Sequence, residues 1–268
     1  MPTLSRLPTK DKALIMTHPL KIVALGDSLV YGYGDPVGGG WAERLRRLWM
    51  ESAGHALYNL GIRGDRVVQV SERLEQEFRL RGEIRNRLPD LILLSVGVND
   101  TARLGRPDGR TYTDHDLFQT QIEHLLTRAR SLCPVLFIGM IPVDERKMPF
   151  LDCFYFNHRD QYRFKETTKQ ACLEQNIPYL DLFDLWMNRG DLWCQERLME
   201  DGLHPNVQGY QSILEDILNW SPLTSFVGVD GFIQPFTGIA QKWCPLLSVD
   251  LAALQKPEEP VKKPVKPC

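Results

Sequence analysis

No window of the chain holds the roughly 18 consecutive apolar residues that a membrane-spanning helix needs. Residues 1–19 alternate Pro, Lys, Arg and Thr and never build the apolar core of a secretory signal. These absences lead us to expect a cytoplasmic protein with a disordered leader over 1–19, for which Met16 offers an alternative start. Charge of one sign is missing as well. Lys and Arg number 32 against 34 Asp and Glu, a net −2, so no nucleic-acid partner is selected by bulk electrostatics. The local cluster Arg44, Arg46 and Arg47 reads as a solvated helix face. The six cysteines, at 133, 153, 172, 194, 244 and 268, include no C-x-x-C pair and no histidine at zinc-ligand spacing. We therefore expect free thiols and no metal. The glycines at 32 and 34 lack a third glycine at the offset of a dinucleotide fingerprint, and no P-loop Lys-Ser/Thr follows. No organic cofactor is implied.

What the chain does contain is 43% hydrophobic residues, ample for a sizeable core, arranged as alternating strand and helix patterns. The apolar run that follows Lys21, 21–25, reads as a buried strand, and 91–96, unbroken save for Ser95, as a parallel strand covered on both faces. Further strands are expected at 56–60, 135–141 and 177–182. Helices are expected at 41–50, at 65–78 with Asp65 as its N-cap, at 116–131, at 161–175, and from Pro205 to Leu218. The third of these places Leu117, Ile122, Leu125 and Leu126 on its buried face. A polar, Arg-rich loop, 101–114, and an aromatic excursion, 142–160, follow strand carboxyl ends, where open α/β sheets keep their chemistry. Residues 221–254 read as a weakly structured extension, and 255–268, with four Pro and four Lys, as a disordered tail.

Four short blocks stand out: Gly26-Asp27-Ser28-Leu29 directly after the first strand, Asn59-Leu60-Gly61 after the second, Gly97-Val98-Asn99-Asp100 after the third, and Asp201-Gly202-Leu203-His204-Pro205 before the last periodic helix. In this order they resemble the GDSL family, also called SGNH hydrolases, over residues 20–220. The resemblance implies a flavodoxin-like α/β/α sandwich around a five-stranded parallel sheet of order 2-1-3-4-5. It also implies ester hydrolysis without a cofactor, on a small-molecule acyl ester or lysophospholipid.

The residue chemistry agrees with that implication. A serine hydroxyl needs a base within hydrogen-bond reach, and the base needs an orienting carboxylate; Ser28, His204 and Asp201 supply the three. The N–H groups of Ser28 and Gly61 and the side-chain amide of Asn99 are the expected oxyanion donors, Gly61 because a missing Cβ lets its N–H approach the substrate. Asp27 and Asp100 read as structural, tying turn N–H groups. Phe150, Phe154, Tyr155 and Phe156 favour an acyl chain, and Arg103, Arg106 and Arg110 an anionic head group. The alternatives are an acetylesterase acting on acetylated sugars, or a non-catalytic flavodoxin-like binding or scaffold protein.

Overall fold

The structure is a computed structural model that describes residues 19–52, 54–81 and 87–227. The expected leader up to residue 18, most of the 221–254 extension and the Pro/Lys tail lie outside the described residues. In chain order the strands are β1 (Lys21–Gly26), β2 (Ala56–Gly61), β3 (Leu91–Ser95), β4 (Arg103–Leu104), β5 (Val135–Ile138), β6 (Phe154–Tyr155) and β7 (Tyr179–Leu180). Five of them form a wholly parallel sheet of order β2-β1-β3-β5-β7. Counting only these central strands, the order is 2-1-3-4-5, as the resemblance implies. The remaining two, β4 and β6, pair antiparallel and fasten the Arg-rich loop to the aromatic excursion.

The helices are α1 (Ser28–Tyr31), α2 (Gly40–Ser52), α3 (Val67–Leu80), α4 (His115–Leu132), α5 (His158–Glu174), α6 (Leu182–Met187), α7 (Asp191–Gln195), α8 (Val207–Leu218) and α9 (Ser221–Val227). Because side chains alternate across a strand, β1 sends Val23 and Leu25 into a cluster with Val70 and Leu74 of α3, Ile122 and Leu125 of α4, and Phe164 of α5. Ile22 and Ala24, facing the other way, are just as fully buried. On that side α2 packs against α8, while α3, α4 and α5 form the layer opposite. This two-sided burial explains why β1 and β3 carry unbroken apolar runs rather than alternating ones. No helix among the described residues is long and apolar enough to cross a membrane.

Several boundaries differ from expectation, each for a local reason. Asp65 does not cap α3. Its carboxylate pairs with Arg73 at 2.8 Å, and the first helical N–H, that of Val67, donates to Asp100 across space at 3.1 Å. In α4 Ile122, Leu125 and Leu126 are buried as expected, but Phe118 takes the place of Leu117, which is 52% exposed. The last strand shrinks to two residues because Asp181 accepts from the N–H of Asp184 and starts α6 at Leu182. Likewise α8 begins at Val207, since Asn206 accepts from the N–H groups of Gln208 and Gly209 at 2.9 and 3.0 Å. Arg44 is not a solvated residue: its guanidinium pairs with buried Asp35 at 2.8 Å. Asp35 also receives Gly38 and Gly40 N–H, so the pair folds the Gly-rich loop that follows α1.

Candidate active site

The carboxyl ends of β1, β2 and β3 converge: Gly26 stands level with Gly61 on one side and with Ser95 on the other. A Cβ on Gly26 would lie 1.9 Å from the Ser95 carbonyl oxygen, so glycine is needed there for close strand approach. Asp27 then caps α1, its Oδ1 accepting from Leu29 N–H at 2.9 Å, and Ser28 becomes the first helical residue. The backbone around it is clamped from α8. Tyr210 donates its buried hydroxyl to the Tyr33 carbonyl at 2.9 Å and lies 3.3 Å from that of Ser28.

The Asp-His block reaches the same point from the far end of the chain. Asp201 Oδ1 accepts from the N–H groups of Leu203 and His204, each at 2.9 Å, which folds the block into a tight turn. Gly202 holds φ at +68°, and its carbonyl accepts from Asp144 N–H at 2.7 Å, fixing the turn to the loop after β5. Within the turn Asp201 Oδ2 lies 2.7 Å from His204 Nδ1, and His204 Nε2 lies 3.0 Å from Ser28 Oγ. With Nδ1–H donated to the carboxylate, Nε2 is left as the acceptor for the serine hydroxyl. Burial pushes the Asp201 carboxyl up, but the bonds from the His204 ring and from the His204 and Leu203 N–H groups outweigh it and hold the group below its usual range. The imidazole is walled by the Tyr33 ring, edge-on at 4.6 Å between centroids, and by Phe150 at 5.6 Å.

The three expected oxyanion donors are not all placed alike. Ser28 N–H, at the start of α1, donates to no acceptor among the described residues. Asn99 spends one amide hydrogen on the Asp65 carbonyl at 2.9 Å, which orients the amide and leaves its second N–H for a ligand. Gly61 departs from expectation: its N–H donates to the side chain of Asn59 at 3.0 Å. Its missing Cβ serves the approach of α1, since one built there would lie 2.1 Å from Tyr31 N. The neighbouring Gly64 has the property sought. It sits third in the turn Ile62–Asp65, closed by Asp65 N–H to the Ile62 carbonyl at 3.2 Å, with φ at +82° as such a turn requires. Its own N–H finds no acceptor among the described residues. Nothing lies within 4 Å of where its Cβ would be, and the turn is the one Asn99 grips.

One further group at the site, Arg73, was not legible in the chain. Arg73 of α3 donates to the Leu60 carbonyl at 2.8 Å and to the Gly26 carbonyl at 2.9 Å while pairing with Asp65. It thereby ties the ends of β1 and β2 to the Gly64 turn. Asp100 is wholly buried, bonded by Thr113 Oγ1 at 2.6 Å and by Val67 N–H, and burial pushes its carboxyl up to about 6. The Arg-rich loop is largely committed elsewhere: Arg103 binds Asp160 and the Gly109 carbonyl, and Arg106 pairs with Asp108. Among the described residues one carboxylate trio, Glu166, Asp181 and Asp184, has metal-like spacing, but the buried Lys165 ammonium sits among all three at 2.6–3.0 Å.

The profile of the GDSL-like Lipase/Acylhydrolase family matches residues 24–212, which takes in all four blocks. No curated protein matches the chain in sequence. Among solved structures, a lipase/acylhydrolase from Enterococcus faecalis aligns with 23% identity and a TM-score of 0.60, over 74% of this chain and 93% of that one. A member of the lipolytic G-D-S-L family from Veillonella parvula aligns at 20% and 0.56, over 75% and 98%. An acetylxylan esterase from Geobacillus stearothermophilus aligns at 16% and 0.57, over 76% and 95%. At these identities the structural likeness speaks for the fold.

Proposed function

The chain belongs to the GDSL-like lipase/acylhydrolase family and is an ester-hydrolysing enzyme, and from that premise we propose that Ser28, His204 and Asp201 are its catalytic triad. The observation that carries this reading is the unbroken chain of contacts from Asp201 Oδ2 through the His204 ring to Ser28 Oγ, at 2.7 and 3.0 Å. Ser28 Oγ attacks the ester carbonyl carbon as its proton passes to His204 Nε2, while Asp201 holds the other ring nitrogen and stabilises the imidazolium. The oxygen that becomes negative is met by donors already aimed and unspent, namely Ser28 N–H, Gly64 N–H and the second amide hydrogen of Asn99. Gly64 takes the part that Gly61, with its N–H engaged, does not. Fixed dipoles of this kind cost no reorganisation when charge develops. His204 then returns its proton to the departing alcohol, and water resolves the acyl-Ser28 ester by the same steps. The substrate is a small carboxylic ester, an acyl ester or a lysophospholipid, and the aromatic walls Tyr33 and Phe150 suit an acyl group beside the imidazole.

A serine-directed fluorophosphonate tests the assignment. It should label wild-type protein at Ser28 and fail with Ser28→Ala. Ser28→Ala and His204→Ala should each remove most ester hydrolysis, and their combination should be scarcely worse than either, because triad members act as a unit. Folded protein that resists labelling, or losses that add in the double variant, would overturn the triad and favour a binding protein built on the same fold.

A further inference from the structure

The turn held by Asn99 carries two arginines, Arg63 and Arg66, one on each flank of Gly64-Asp65. Neither forms an ion pair among the described residues. The carboxylate between them is taken, since Asp65 pairs with Arg73. Asp100 is buried and hydrogen-bonded to Thr113 and Val67; it feels the charge of Arg66 but forms no ion pair with it. Most arginines elsewhere do find a carboxylate, as Arg44, Arg103 and Arg189 do with Asp35, Asp160 and Asp216. Arg63 and Arg66 are instead seated on aromatic rings. Arg63 Cζ lies 3.7 Å from the centroid of Tyr33, the ring that walls His204, and Arg66 Cζ lies 4.3 Å from that of Tyr112. Among the described residues the Arg66 guanidinium makes one further hydrogen bond, a long 3.4 Å approach of Nη1 to Thr113 Oγ1.

Stacking on an aromatic face fixes a guanidinium while its in-plane N–H donors stay open for a planar or tetrahedral oxyanion. Two such groups flank the donor turn with positive charge, Arg63 against the ring that walls His204. In the Arg-rich loop, by contrast, Arg103 and Arg106 are paired with Asp160 and Asp108.

We propose that Arg63 and Arg66 form a recognition site for an anionic oxygen group, a carboxylate or a phosphate, carried by the ester substrate. The enzyme then favours a charged ester over a neutral one of the same shape. This rests on the triad reading, since only with Ser28 as nucleophile does the Gly64 turn adjoin the scissile bond.

Two matched pairs of esters locate the charge. Para-nitrophenyl hydrogen adipate against para-nitrophenyl hexanoate places it on the acyl side; acetylglycerol phosphate against acetylglycerol places it on the alcohol side. In one of the pairs the charged member should have kcat/KM about 10- to 100-fold above the neutral one, the worth of a hydrogen bond to a charged group. Arg63→Gln and Arg66→Gln should each shrink that ratio, Arg63→Lys should keep part of it, and added salt should erode it. Ratios near one in both pairs, or a preference that survives the double replacement by Gln, would overturn the proposal. If no ester is cleaved and Ser28 is not labelled, it is the hydrolase reading that has failed. Calorimetric titration of adipate and inorganic phosphate into the wild type and the double variant then decides the anion site: binding weakened by the replacements supports it, and no binding to the wild type overturns it.

Discussion

Replacing Asp27 by Asn should make the protein's stability markedly less sensitive to pH. Asp27 is 1% exposed; its Oδ1 accepts from Leu29 N–H, and its Oδ2 has no hydrogen-bond partner among the described residues. Burial, with a smaller contribution from the charge of Asp100, carries the carboxyl from its ordinary 3.8 to about 7. A group whose folded pKa is raised binds more protons in the native state, so its contribution is fully present below the unfolded pKa and is lost as pH rises through the folded one. The whole rise corresponds to about 4 kcal/mol, of which about 2.5 kcal/mol falls between pH 5 and pH 8. An asparagine keeps the bond to Leu29 and cannot ionise. Denaturant unfolding followed by the fluorescence of buried Trp41, Trp49 and Trp186 should therefore show Asp27→Asn gaining on the wild type by on the order of 2 kcal/mol from pH 5 to pH 8. Other groups titrate in this interval, and the difference between the two proteins cancels them. Parallel stability curves would refute the reasoning, and would mean that Oδ2 is solvated well enough to ionise at no cost.

Three further predictions separate turnover from stability around the oxyanion donors. Asn99→Ala should lower kcat by about 10²- to 10³-fold with little change in KM, on the order of 3 kcal/mol of transition-state stabilisation. It should also cost about 1 kcal/mol of stability through the lost bond to Asp65; near wild-type kcat per fluorophosphonate-reactive site would leave Asn99 as a turn anchor only. Gly64→Ala, with open space for its Cβ, should cost about 1–2 kcal/mol for its left-handed backbone and lower kcat by shifting the N–H. Gly61→Ala should instead lower the melting temperature sharply through its clash with Tyr31, and Gly64→Ala with full turnover would remove that N–H from the site.

The parts of the fold that could be read from the chain are those set by local pattern. A strand covered on both faces must be apolar throughout, so β1 and β3 announce themselves, whereas β7, two residues long at the sheet's edge, carries no such run. At the start of α3 the deciding hydrogen bond comes from afar. Asp65 precedes an apolar periodic stretch and has the chemistry of a cap, yet the N–H it was expected to satisfy goes to Asp100, while Asp65 is drawn to Arg73. The choice of Phe118 over Leu117 for the buried face of α4 has a similar origin. Leu117 and Phe118 are adjacent and equally apolar, and Phe118 is chosen because Phe164 of α5 meets its ring at 4.6 Å.

The site shows the same division at finer grain. Asp201 and His204 were legible together because their geometry is closed within one turn, by bonds spanning two or three residues. Gly61 and Gly64 were not distinguishable, since a glycine past a strand end looks the same whether its missing Cβ admits a substrate or a neighbouring helix. What separates them is the surroundings: a Cβ on Gly61 would meet the backbone of α1, and one on Gly64 would meet nothing. A glycine forced by internal packing has no freedom left for a ligand, while one forced only by its own φ, with a free N–H and open space in front, is poised to meet one. The same argument applies to the arginines. Arg73 and Arg63 stand on either side of the Gly64 turn with the same charge, but Arg73 is spent on two carbonyls and a carboxylate. Among the described residues Arg63 is spent on nothing but the face of Tyr33, which leaves its hydrogen-bonding edge to whatever the serine is offered.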